Sequence, residues 1–176
     1  MIPVFIGIFY LPDATLSLHH KHLFGSLLFA FAAITDWLDG YLARSLNQTS
    51  AFGAFLDPVA DKLMVAAALI VLVQLDYVGM LVAFIIIGRE IAISALREWM
   101  AQLGSSKSIA VSMLGKIKTS FQMLAILLLL YHEDILGFPT HAVGTTLIYF
   151  AAILTLWSMV YYLILAMPQI SKKTRE

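Results

Sequence analysis

The sequence predicts an all-α fold, a polytopic transmembrane helix bundle. Three observations lead there. Apolar residues make up 61% of the chain and charged residues 12%, where soluble globular domains carry roughly 45–50% and about 25%. The apolar residues gather in stretches long enough to cross a bilayer. Strand-type alternation is absent, and Leu, Ala, Ile and Met dominate, which points to helices rather than a barrel. At 176 residues, with mean hydropathy +0.89 and no cysteine, the chain reads as one domain, 1–176. A soluble enzyme of ordinary type, a disordered chain and a disulfide scaffold are excluded. The 11 basic residues match 11 acidic ones, so the strongly basic surface of a nucleic-acid binder does not arise.

The first apolar stretch is 2–11. As a helix it rises only about 16 Å, too short to span. It reads as a re-entrant piece or a shortened first helix, and it lacks the basic flank and small-residue cleavage site of a signal peptide. Stretches 23–44, 59–75, 78–96, 116–131 and 142–167 can each span if their polar ends snorkel or face a protein interior. Between them lie a link at 12–22, another at 45–58, a tight turn at Asp76 and Tyr77, a polar loop at 101–115 and a link at 132–141. A charged tail, 171–176, closes the chain. His19, His20 and His22 fall in the first link and are expected as solvated loop residues. Trp37, Trp157, Tyr161 and Tyr162 are expected to pack or to mark membrane interfaces.

Topology follows from the basic residues. With the faces numbered alternately, Arg44, Lys62, Arg89, Arg97, Lys107, Lys116, Lys118, Lys172, Lys173 and Arg175 belong to one face or the half-membrane beside it. Only Lys21 falls on the other. The positive-inside rule puts the basic face, and the C-terminus with it, in the cytosol.

Charge inside a span is costly and usually functional. Asp36 and Asp39 lie late in the second stretch, and Asp57 and Asp61 open the third. Arg89, Glu90 and Arg97 lie toward the cytosolic end of the fourth, and Lys116 and Lys118 open the fifth. All reach one membrane face, which implies a polar cavity open to the cytosol. Residues three or four apart share a helix face, so each aspartate pair acts together. Pro58 is expected in the first turn of its helix, with the acidic pair at the positive helix end. Four carboxylates in a low-dielectric pocket need cations or protons. Hard oxygen ligands without a thiol suit Mg²⁺ or Mn²⁺, and a metal pair suits displacement at phosphorus. Structural ion pairs, such as Asp61 with Lys62 or Arg89 with Glu90, are one competing reading. Cation or proton transport is another, but a transporter needs a polar path to both faces, and here the charges converge on one.

The acidic residues belong to a longer pattern. It runs Asp36-Trp-Leu-Asp39-Gly40-Tyr-Leu-Ala43-Arg44, then eight residues, then Gly53-Ala-Phe-Leu-Asp57-Pro-Val-Ala-Asp61. This resembles the signature of the CDP-alcohol phosphatidyltransferase family, D-x₂-D-G-x₂-A-R-x₈-G-x₃-D-x₃-D, with all eight defined positions intact. Phe52–Ala66, Gly88–Gly104 and Val111–Met123 extend the likeness to the bacterial branch that uses glycerol 3-phosphate. The resemblance covers nearly the whole chain.

The resemblance implies six transmembrane helices, a homodimer, and an active site at the cytosolic leaflet of a bacterial inner membrane. It implies that Asp36, Asp39, Asp57 and Asp61 hold two divalent cations, Mg²⁺ or Mn²⁺, with Asp61 also the general base. Gly40, Ala43 and Gly53 would let the cytidine of CDP-diacylglycerol approach, with Asp39 and Arg44 beside it. The implied acceptor, sn-glycerol 3-phosphate, is a dianion and needs cations. Arg97, Lys116 and Lys118 are the first candidates, with Arg89 and the hydroxyl of Thr119. Relatives that use inositol phosphate, serine or phosphatidylglycerol share the aspartate signature. Members of the branch begin with an amphipathic segment containing N-x-x-T-x-x-R, whereas this sequence opens on Met1-Ile2-Pro3-Val4 and keeps all four aspartates.

Overall fold

A computed structural model describes residues 1–45, 51–102, 113–135 and 137–173. Side chains at 37, 40, 41, 43–45, 51–58, 97, 100–102, 113–116 and 165–173 lie outside the description. The described residues form six helices: α1 (Ile2–Tyr10), α2 (Leu18–Ser45), α3 (Ala51–Gln74), α4 (Met80–Gln102), α5 (Met113–Tyr131) and α6 (Thr140–Lys173). No strand occurs among them, and Ile135 and Phe138 form an isolated bridge. The all-helical expectation is met.

Four boundaries differ from the expectation by five residues or more: α4 and α6 run on to Gln102 and Lys173, past the expected ends at 96 and 167, and α2 and α3 start early. The link 12–22 holds the first turn of α2, because Ser17 supplies a helix-start residue. Its carbonyl accepts the Lys21 N–H at 3.0 Å and its hydroxyl meets His20 Nδ1 at 2.7 Å. The third helix begins at Ala51, so Pro58 sits beyond the first turn. A proline there leaves one backbone carbonyl without its helical partner, which the helix-forming residues on either side outweigh.

α1 starts at Ile2 and carries Pro3 in its first turn, where a missing N–H costs nothing. At about 14 Å it stays short of a span. Phe5 and Phe9, one turn apart, bury against α2 and α3. They join a core of Phe29, Leu69, Leu72, Ile86, Ile126 and Leu130. α5 packs most extensively on α6, and α6 also packs on α4. Gly144 makes the α5–α6 approach possible. A Cβ there would come 2.9 Å from Leu129 Cγ and 3.2 Å from Leu128 Cβ. Small residues at such crossings let backbones approach closely. Gly144→Val is expected to destabilise the protein by about 1–3 kcal/mol, read as a lower melting temperature in detergent.

The turns reverse the chain through left-handed residues. Asp76 has φ 59°. Tyr77 N–H bonds Leu72 O at 2.9 Å and Asp76 N–H bonds Val73 O at 3.1 Å, the paired closure of a Schellman end. The tight turn expected at Asp76 and Tyr77 is therefore present. His132 ends α5 with φ 61°, its N–H on Leu128 O at 3.0 Å.

These turns assemble one end of the bundle. The His132 ring stacks on Tyr77 at 3.7 Å between centroids and meets His141 edge-on at 4.7 Å and His22 at 5.4 Å. His19 binds Glu133. The loop expectation for the three early histidines therefore fails in part. All three are helical, and His22 is buried while His19 and His20 stay exposed. Burial lowers the His22 pKa, and His132 and His19 lower it further while Glu133 opposes them. Burial and then His141 lower that of His132, against Glu133 and Asp134. A histidine whose folded pKa lies below its unfolded value stabilises the fold above about pH 6.5 and loses that contribution as pH falls toward the folded value. The melting temperature should therefore drop between pH 7.5 and 5.5. His22→Phe should flatten that dependence.

Exposed faces of the helices are strongly apolar. Leu27, Phe31 and Ile34 on α2, Leu81 and Phe84 on α4, and Ile153, Trp157 and Ile164 on α6 are each more than half exposed. Among the described residues, Thr140–Ile164 is long and apolar enough to cross a membrane by length and composition, and Ile117–Tyr131 is a shorter apolar helix. The remaining stretches expected to span carry more internal charge.

Candidate active site

Five residues separate Ser45 from Ala51, so the end of α2 and the start of α3 are held near one another. Asp36 and Asp39 stand near the end of α2, and Asp61 stands in the first half of α3. All three are exposed. Asp39 lies about 25 Å along α2 from His22, at the far end from the histidine cluster. Ile34, Leu38 and Leu42 line a different side of the same helix and are exposed apolar residues. The acidic pair is thus segregated from a greasy stripe. Gly40, Ala43 and Arg44 fall in α2, and Gly53 and Asp57 fall in α3. The side chains of these five lie outside the described residues, as do those of Arg97 and Lys116.

The described carboxylates fit a hard cation in kind. They are oxygen donors only, open to solvent, delivered from two successive helices. No three described His, Asp or Glu side chains converge on one metal-sized point, and Asp57, the fourth aspartate of the pattern, is not among them.

A polar seam runs between α4, α5 and α6, and its Glu90 lines one cavity with Lys62, the residue after Asp61. Glu90 Oε1 accepts Lys118 Nζ at 2.6 Å and an Arg89 guanidinium nitrogen at 3.1 Å. The other terminal nitrogen of Arg89 donates to Ser158 Oγ at 2.9 Å, and Ser158 donates in turn to the Thr155 carbonyl at 3.0 Å. Arg89 also lies 5.9 Å over the Tyr162 ring. Lys118 is 1% exposed and Arg89 7%. Arg89 Nε, Gln122 Oε1 and Thr155 Oγ1 are buried without a hydrogen-bond partner. The Arg89–Glu90 ion pair weighed from sequence is real, but it is larger than that reading, since Lys118 joins it. Thr119, the next residue, is exposed. Of the acceptor candidates, Arg89 and Lys118 come together on Glu90.

Sequence reasoning missed Ser158, Thr155 and Gln122. The signal was available. Gln122 follows Lys118 by four, and Thr155, Ser158 and Tyr162 recur at helical spacing on an otherwise apolar α6. Each follows the same-face rule already used for the aspartates.

Exposed carboxylates on α2 and α3, a buried cationic seam between α4, α5 and α6, and apolar outer faces mark the described residues. Residues 1–157 match the CDP-alcohol phosphatidyltransferase family, and the chain belongs to it. It is 47% identical over 165 residues to the CDP-diacylglycerol–glycerol-3-phosphate 3-phosphatidyltransferase of Pectobacterium atrosepticum, covering 93% of this chain and 86% of that one. The proteins of the same name from Salmonella typhimurium and Shigella flexneri are each 48% identical with the same coverage.

Proposed function

We propose that this chain transfers the phosphatidyl group of CDP-diacylglycerol to sn-glycerol 3-phosphate, giving phosphatidylglycerol phosphate and CMP. The observation that carries the reading is the intact eight-position signature within a chain 47% identical to relatives of that name. The product feeds synthesis of phosphatidylglycerol-type lipids.

Asp61 removes the proton from the 1-hydroxyl of the acceptor. That oxygen attacks the β-phosphorus of the liponucleotide, the bond to the CMP oxygen breaks, and CMP leaves. Asp36, Asp39, Asp57 and Asp61 would hold two divalent cations, Mg²⁺ or Mn²⁺. Such cations supply charge stabilisation on phosphate oxygens. Asp39, Gly40, Ala43, Arg44 and Gly53 receive the cytidine side. Arg97, Lys116 and Lys118, with Arg89 and Thr119, receive the acceptor phosphate. The buried seam supports this assignment for Lys118 and Arg89, since a dry site strengthens their pull on a dianion.

The chain acts as a multi-pass protein of the bacterial inner membrane, with site and C-terminus facing the cytosol, and as a homodimer. The exposed apolar faces of α2, α4 and α6 support lipid contact. Acyl chains would then enter sideways while the reacting phosphates stay at the polar end.

The test is CMP release by protein reconstituted with CDP-diacylglycerol and Mg²⁺. Glycerol 3-phosphate, inositol phosphate, serine and phosphatidylglycerol are offered separately. Release with glycerol 3-phosphate alone is the expected result. Release with a different acceptor alone would keep the chemistry and overturn the acceptor.

A further inference from the structure

Glu90 stands outside the acidic pattern that defines the family, yet it organises the seam. One of its carboxylate oxygens holds two cations, one from its own helix and one from α5. Through Arg89 it is also tied to Ser158 on α6. Both cations belong to the acceptor-phosphate set proposed above. A lysine stem has four rotatable carbons and a strongly hydrated head. Left alone it samples many rotamers, and fixing it costs entropy on binding. A carboxylate at 2.6 Å removes that freedom before the ligand arrives.

We propose that Glu90 is a positioning residue for the acceptor phosphate: it presents Lys118 and Arg89 to the phosphate in a fixed geometry. This rests on the reading that those two cations face the acceptor.

The proposal has a sign that simple charge lacks. Removing a carboxylate beside a dianion site strengthens the local positive field and by field alone would tighten acceptor binding. Loss of positioning weakens it. The experiment measures steady-state CMP release for the wild type, Glu90→Gln, Glu90→Asp and Lys118→Gln, varying glycerol 3-phosphate and CDP-diacylglycerol in turn, with melting temperatures alongside. For Glu90→Gln the KM for glycerol 3-phosphate should rise about tenfold, the size of one charged contact's misplacement, with the KM for CDP-diacylglycerol unchanged. Glu90→Asp, which keeps the charge on a shorter arm, should fall between, and it serves as the test variant if Glu90→Gln does not fold. An unchanged or lowered KM for glycerol 3-phosphate in the Glu90 variants overturns the proposal. So does a loss of activity that tracks melting temperature and spares neither substrate. If Lys118→Gln raises that KM and the Glu90 variants do not, the acceptor site stands and this proposal alone falls. If Lys118→Gln leaves it unchanged, the acceptor-site reading falls and takes this proposal with it.

Discussion

Asp61→Asn is expected to lower the rate of CMP release about a thousandfold while leaving the melting temperature where it was. The two halves of that result have separate causes. General-base removal is worth about 10²–10⁴ in rate. Asn has nearly the same shape as Asp but cannot accept the proton. Asp61 is exposed on α3, so its replacement disturbs no packed core and the fold keeps its stability. The proposed second role, as a cation ligand, adds a signature. The residual activity should need more Mg²⁺ for half-saturation. Asp36→Asn and Asp39→Asn should show the Mg²⁺ shift with a smaller loss of maximal rate once Mg²⁺ is saturating. A thousandfold loss accompanied by a fall in melting temperature would assign Asp61 to the fold instead.

Arg89→Met should have the opposite profile, with stability falling first. Neutral cross-helix hydrogen bonds in membrane proteins average about 0.6 kcal/mol. The Arg89 contacts are charge-assisted, to Glu90 and Ser158, and such bonds are worth about 1.5–3 kcal/mol each. Glu90 keeps Lys118 as a partner, which caps the loss below that of an orphaned carboxylate. The expected cost is about 3 kcal/mol. A double-mutant cycle with Ser158→Ala separates the α4–α6 tie from the rest. Coupling near zero would show that Ser158 contributes packing alone.

The helical path was legible because every helix after the short α1 is a long apolar run, and all six expected stretches match a helix to within a few residues at one end or both. The aspartate pairs were legible because three- and four-residue spacing is a local rule. What escaped was non-local. The start of α3 at Ala51 escaped because Pro58 reads as a start signal, and proline inside a helix is decided by neighbours in space. His22 looked like loop solvent because nothing near it in sequence names Tyr77, His132 or His141 as its company. Glu90 looked like half of a neighbour pair with Arg89. Its stronger contact is Lys118, 28 residues away, and the packing of α4 and α5 against α6 brings them together.

The placement of the histidines has a kinetic consequence. All five in the chain, His19, His20, His22, His132 and His141, lie at the end away from the aspartates. The side chains assigned to the reacting end are carboxylates, guanidinium and ammonium groups, whose ordinary titrations fall outside pH 6–7. A phosphate monoester loses its second proton near pH 6. An inflection in acceptor kcat/KM in that interval therefore reports the substrate's ionisation rather than a catalytic imidazole, and it should persist unchanged in a chain with every histidine replaced.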